Sequence, residues 1–157
     1  MTRKLFVLGL ALVATLAFVA RAEKPNMSKE SLEKVATHVV VAEVMAIYEY
    51  TEVNPHGHDR TNYVAECRVE RSEKGKGLEA EGLVYVRYWH YGPWKGSQPG
   101  PAGTMGHRGL PTIGETLRIY LARNAYDGFS QDKDNGDGGY NVIGANGFER
   151  LPKPEDE

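Results

Sequence analysis

Three groups of side chains carry residue types that can do chemistry, and the histidines come first. His56-Gly57-His58-Asp59 stands in one polar segment, His90 ends an apolar run, and Met105-Gly106-His107 stands in a Gly/Pro-rich one. Imidazole suits zinc or copper, and the Met105 thioether would favour copper. His56, His58, His90 and His107 are therefore the candidate metal ligands, provided that three separate segments meet. The ordinary alternative is that His56 and His58 occupy a solvated turn.

A second group, Asp132-Lys133-Asp134-Asn135-Gly136-Asp137-Gly138, has the density of oxygen donors that calcium wants. Its spacing departs from the helix-flanked calcium loop, because counting from Asp132 puts Asp137 where glycine belongs and Ile143 where the bidentate glutamate belongs. An acidic, solvated turn is the plainer reading. The third group runs through Tyr85, Arg87, Tyr88, Trp89, Tyr91, Trp94 and Lys95, with Arg108 further on. Planar rings interleaved with cations can stack on sugars or bases and fix an anionic or polar substituent. From it come the candidate ligand contacts Tyr88, Trp89, Tyr91, Trp94, Lys95 and Arg108; those rings that face inward are simply core.

Nucleophilic chemistry finds no foothold. There is no Gly-x-Ser-x-Gly, no His-Glu-x-x-His and no phosphate-cradling glycine loop followed by Lys-Ser/Thr. Glu66 and Glu70 share a strand's polar face, where solvation is the ordinary explanation. The single Cys67 falls on the same strand face as Tyr63, Ala65 and Val69, which makes it a small buried hydrophobe rather than a reactive thiol. A binding or structural module is expected in preference to an enzyme.

Residues 1 to 22 have the order of a cleavable secretory leader: basic Arg3 and Lys4, an apolar run from Leu5 to Ala20, and the small-residue site Ala20-Arg21-Ala22. The run is about sixteen residues long, short for a span. The expected product is secreted or periplasmic, with no membrane span in the mature protein. The leader takes Arg3, Lys4 and Arg21 from the 19 basic residues and none of the 21 acidic ones, leaving sixteen against 21 and a net charge of about −5. With no Lys/Arg run, nucleic acid is excluded as an expected partner. The remaining residues, 23–157, suffice for one domain whose core stands on packing alone, since one cysteine closes no internal disulfide.

The elements that must position these groups follow from periodicity. Ser28 caps a short helix whose Leu32, Val35 and Ala36 form one apolar face. His38 to Tyr50 reads as a first strand, Thr51 to Thr61 as a loop around Asn54-Pro55 and Gly57, and Asn62 to Arg71 as a second strand. After the turn Lys74-Gly75-Lys76-Gly77, Gly82 to Tyr91 alternates Leu83, Tyr85, Arg87 and Trp89 with Val84, Val86, Tyr88 and His90. Gly92 to Gly114, with seven Gly and four Pro, is a long loop and a leading candidate for function. Glu115 to Arg123 is a fourth strand with Leu117, Ile119 and Leu121 inward and Thr116, Arg118 and Tyr120 outward. Asn124 to Gly139 is a second loop, and Tyr140–Ile143 with Gly147–Leu151 makes a fifth strand or a final hairpin. The pattern predicts a mainly β fold: a small five-stranded antiparallel barrel of the OB type with one short N-terminal helix. An SH3-like barrel or a small sandwich is the alternative.

His38-Val39-Val40-Val41-Ala42-Glu43-Val44, with a second strand ending in Glu73-Lys74-Gly75, resembles the opening of netrin- and tissue-inhibitor-like OB domains over about half of the mature chain. Those domains are usually disulfide-linked, and their protease inhibition needs an N-terminal Cys that this chain lacks, so only the barrel is implied. Tyr88-Trp89, Gly106-His107-Arg108-Gly109, Pro111, Gly114, Leu117 to Leu121 and Asn146-Gly147-Phe148-Glu149 are similar to small exported bacterial proteins of uncharacterised function, which implies export and a β domain. The expected function is an exported, non-enzymatic binding or structural module whose ligand is a protein or an envelope polysaccharide. The alternative is a metal-binding protein using the loop histidines. No cofactor is required; copper, zinc and calcium are the candidate ions.

Overall fold

The computed structural model describes residues 26–53, 59–92, 106–123 and 139–152. The chain enters through a helix, α1 (Lys29–Val35), which is capped as its sequence requires: the Ser28 hydroxyl accepts from the Ser31 amide, Glu30 sits in the first turn and Lys34 in the last. Six strands follow: β1 (His38–Val53), β2 (Asp59–Lys74), β3 (Leu83–Tyr91), β4 (Thr116–Arg123), β5 (Tyr140–Val142) and β6 (Phe148–Arg150). Among the described residues no helix is long and apolar enough to cross a membrane.

Five of the strands close a ring. β1 pairs antiparallel with β2, β2 with β3, and β4 with β1, while β5 lies between β3 and β4. β5 runs parallel to β3, through Val86–Tyr140 and Arg87–Asn141, so the barrel is mixed and the expectation of an all-antiparallel sheet is corrected. Of the two expectations for Tyr140–Ile143 with Gly147–Leu151, a fifth strand or a final hairpin, the hairpin is not what forms. β5 and β6 both pair with β4, on the edge that β1 does not use, and lie end to end along it. The turn between them, whose Gly147 carbonyl accepts from the Tyr120 amide, stays bonded to β4 rather than folding β6 back on β5.

Alternation explains which side chains fill the barrel. Val40, Ala42 and Val44, then Ala65, Cys67 and Val69, Val84, Val86 and Tyr88, and Leu117, Ile119 and Leu121 share one buried cluster with Val142 and Phe148. Burial pushes the Cys67 thiol up to about 12, with the Glu66 charge adding to it, so it stays protonated in the core. A second cluster lies outside the ring, where Leu32 and Ala36 press on Val39, Tyr120, Ala122 and Ile143. Tyr120 does leave the barrel interior as its parity demands, yet it is only 1% exposed because α1 covers it.

β1 and β2 run further than their turn residues suggest. Thr51 pairs with Thr61, Glu52 with Arg60 and Val53 with Asp59, with the two threonine hydroxyls 2.9 Å apart and Asn62 Nδ2 donating to Glu52 at 3.0 Å. Within the expected loop Thr51 to Thr61, residues 51–53 and 59–61 are therefore paired strand, and residues 54–58 lie outside the described residues. Since β4 pairs β1 only from His38 to Glu43, the outer half of β1 belongs to a three-stranded sheet with β2 and β3 that extends past the closed ring.

Arg118 ties three strands together at the barrel wall. Its guanidinium donates to Glu73 at 2.7 and 3.2 Å and to Glu149 at 3.2 Å, and Glu149 also accepts from Tyr120 Oη at 2.6 Å and from Lys29 at 3.3 Å. The Arg118 hydrogen bond holds the Glu73 carboxyl below its ordinary value. Burial pushes Glu149 up, but hydrogen bonds from Tyr120, Arg118 and Lys29 outweigh it and the carboxyl again titrates low. Such groups bind protons more readily in the unfolded chain, so their contribution is complete above about pH 4.5 and is lost as pH falls through the folded values. We expect the urea midpoint to fall below pH 4.5 in the parent chain and to fall less steeply in Arg118→Met, which starts lower at pH 7. Parallel acid limbs in the two proteins would contradict this role.

Candidate functional site

His107 shows what the end of the long loop does. Gly106 forms a bridge with His90, and at φ +109 it brings the backbone so near that a Cβ would stand 2.6 Å from the Trp89 carbonyl oxygen. The His107 amide then donates to that same oxygen at 2.9 Å. Its ring is buried, with Nε2 donating to the Val142 carbonyl at 2.8 Å and Nδ1 set 3.1 Å from the Trp89 amide nitrogen and 3.0 Å from the Trp89 carbonyl oxygen. Tyr88, Trp89 and Phe148 present ring edges or faces to it at 6.0 to 6.4 Å between centroids. His107 thus bonds β3 to β5 through both ring nitrogens.

His90 Nδ1 lies 3.1 Å from the His107 carbonyl oxygen, whereas His56 and His58 lie outside the described residues. No three His, Cys, Asp or Glu side chains gather as a metal-holding group among the described residues. The acidic segment from Asp132 to Gly138 also lies outside them.

The aromatic group divides by parity. Tyr88 faces the core, its ring stacked on Tyr63 at 4.9 Å and burial pushing its phenol well up. Trp89 and Tyr91 are half-buried, their rings edge to face at 5.3 Å. Arg108, which follows His107 in the chain, is half-buried, its amide donating to the Ala145 carbonyl. Trp94 and Lys95 lie outside the described residues.

What the register assembles is a wider surface on the outer face of β1, β2 and β3. Across the sheet Tyr50, Asn62 and Trp89 form one row and Tyr48, Val64 and Arg87 the next, with Glu66 beside Tyr85. Tyr48, Tyr50 and Tyr85 are 56, 67 and 50% exposed, and Leu83 is exposed at the end of the same row. Glu66 accepts from Tyr48 Oη, and its charge, with a hydrogen bond, pushes the Tyr85 phenol up. The Arg60 guanidinium lies over the Trp89 ring at 4.9 Å from its centroid, which pins a long side chain against an aromatic wall.

Two concavities open on this surface. One, of about 160 Å³, is lined by Arg60, Asn62, Val64, Arg87, Trp89 and Asn141, together with Tyr63 and the candidate contact Tyr88. The other, of about 390 Å³, is lined by Val64, Leu83, Tyr85, Arg87, Gly139 and Tyr140. Val64 and Arg87 belong to both, so the two follow one another along β3. Gly139 leaves room for Arg87, since a Cβ there would stand 2.6 Å from the guanidinium carbon. Sequence reasoning found the β3 side of this groove and missed Tyr48, Tyr50, Arg60, Asn62 and Asn141. Tyr48 and Tyr50 did carry a signal, an aromatic pair at period two on the polar face of β1; Arg60 and Asn141 join Trp89 and Arg87 only through strand pairing.

Compared with known proteins, the chain matches no family model, no curated protein and no solved structure.

Replacing His107 removes a buried ring and its hydrogen bonds to the Trp89 amide and the Val142 carbonyl. We expect His107→Ala to cost about 2 to 4 kcal/mol in urea unfolding. Tyr50→Ala, at an exposed position, should stay within about 0.5 kcal/mol. Equal effects at the two positions would contradict the structural role assigned to His107.

Proposed function

We propose that this protein is an exported, non-enzymatic binding module that holds an envelope polysaccharide on the outer face of β1, β2 and β3. The observation that carries the reading is the groove itself: two concavities in series along β3, sharing Val64 and Arg87 and flanked by exposed tyrosines. Successive sites along a strand suit a linear polymer better than a compact molecule, and exposed rings between polar groups suit sugar faces. The order of basic, apolar and small residues in the first 22 positions supports export. The ring order, β1-β2-β3-β5-β4 and back to β1 with β3 and β5 parallel, supports an OB-type barrel, in which the β2–β3 face is a common place for oligosaccharides.

The mechanism is stacking and hydrogen bonding without bond-making. Tyr85 offers the ring, Arg87 and Asn62 the polar contacts, and Trp89 the wall that holds Arg60. Cell-wall polysaccharide fragments should quench tryptophan fluorescence saturably as they seat beside Trp89. Tyr85→Ala should weaken that binding about tenfold, or ~1.4 kcal/mol, with the fold unchanged by circular dichroism. Turnover of the fragments, or binding that ignores Tyr85, would overturn the proposal.

A further inference from the structure

We infer that the smaller concavity is a subsite for an acidic group, a carboxylate or a phosphate, carried on the bound polysaccharide; the inference rests on the polysaccharide reading above. Its lining sets two guanidinium groups, Arg60 and Arg87, with two side-chain amides, Asn62 and Asn141, against Val64 and Trp89, and among the described residues it includes no Asp or Glu. Arg60 is the decisive residue. It takes part in no ion pair among the described residues, and its Nε is buried there without a hydrogen-bond partner. Glu52, the residue opposite it on β1, accepts from Asn62 instead.

A buried N–H of a cation without an acceptor is costly, and the cost falls when an anionic oxygen arrives from outside. The guanidinium is suited to receive it, because its planar fork matches the paired oxygens of a carboxylate or a phosphate. The Trp89 face under it holds the fork in place at 4.9 Å. Size sets the share of the ligand that enters. About 160 Å³ is below the roughly 300 to 1,000 Å³ of pockets that enclose a whole small molecule, so one substituted ring fits there. The concavity of about 390 Å³ beside Tyr85 then takes the neighbouring unit.

The test is calorimetric titration of the full chain with four probes: oligogalacturonate, its methyl ester, a glycosylated poly(glycerol phosphate) and polyglutamate. The inference expects one or both acidic sugar polymers to bind at least tenfold more tightly than the neutral ester, with an affinity that falls as salt rises; whichever binds names the acid. Arg60→Gln should remove that preference, with the acid polymer binding no more tightly than the ester, and Arg60→Lys should restore part of it. Should Arg60→Gln fail to fold, Arg60→Lys and the salt dependence of the parent chain decide the same question. Equal affinity for ester and acid, unchanged in Arg60→Gln, overturns the acidic subsite and leaves the polysaccharide reading standing. Binding of polyglutamate as tight as that of the acidic sugars overturns the sugar assignment in favour of an acidic protein partner. No binding of any probe overturns both.

Discussion

The structure depends on one act of closure, the pairing of the first residues of β1 with β4 from His38–Leu121 to Glu43–Thr116. Without it the sheet has two free edges, and its apolar faces meet nothing. With it, Val40, Ala42 and Val44 turn into a sealed interior against Leu117, Ile119 and Leu121. Closure also uses only the first part of a 16-residue strand. The remainder of β1 is left to carry Tyr48 and Tyr50 outward beside β2 and β3, which is how one strand serves both the core and the surface.

Two smaller devices complete that division. On one side of the barrel, α1 covers Tyr120 and Ile143, and Glu149 gathers Tyr120, Arg118 and Lys29, so that wall is closed by packing and ion pairs. On the other side, His107 plugs the space between β3 and β5 and bonds to the main chain of both. It holds Trp89 from within while Arg60 lies on the ring from without. The outer groove is therefore backed by a hydrogen-bonded wall whose residues come from β2, β3, β5 and the segment around His107.

Much of this was legible in residue order, and the reasons for the rest are specific. Period-two runs such as Tyr63-Ala65-Cys67-Val69 and Val84-Val86-Tyr88 declare which face is buried, and both faces are where they were expected. Ser28 declared the helix start. The parallel pairing of β5 could not be read, because a three-residue strand has no period and its partners are chosen by the free edge of β4. Tyr120 looked outward because parity is blind to a helix that packs from outside. Polar residues such as Thr51, Thr61 and Glu52 concealed the outer part of the β1–β2 ladder, whose register alone brings Arg60 over Trp89, 29 positions away in the chain.

The proposed function requires the outer face of β1, β2 and β3 to be the ligand surface. Amide shift mapping by NMR, on the labelled chain titrated with cell-wall polysaccharide fragments, tests it most directly. The expected result is a contiguous set of perturbed amides that includes Arg60, Val64, Tyr85 and Arg87, with those of Leu32, Arg118 and Glu149 on the opposite wall unchanged. Perturbations centred on that opposite wall, or saturable binding that leaves β2 and β3 unperturbed, would contradict it.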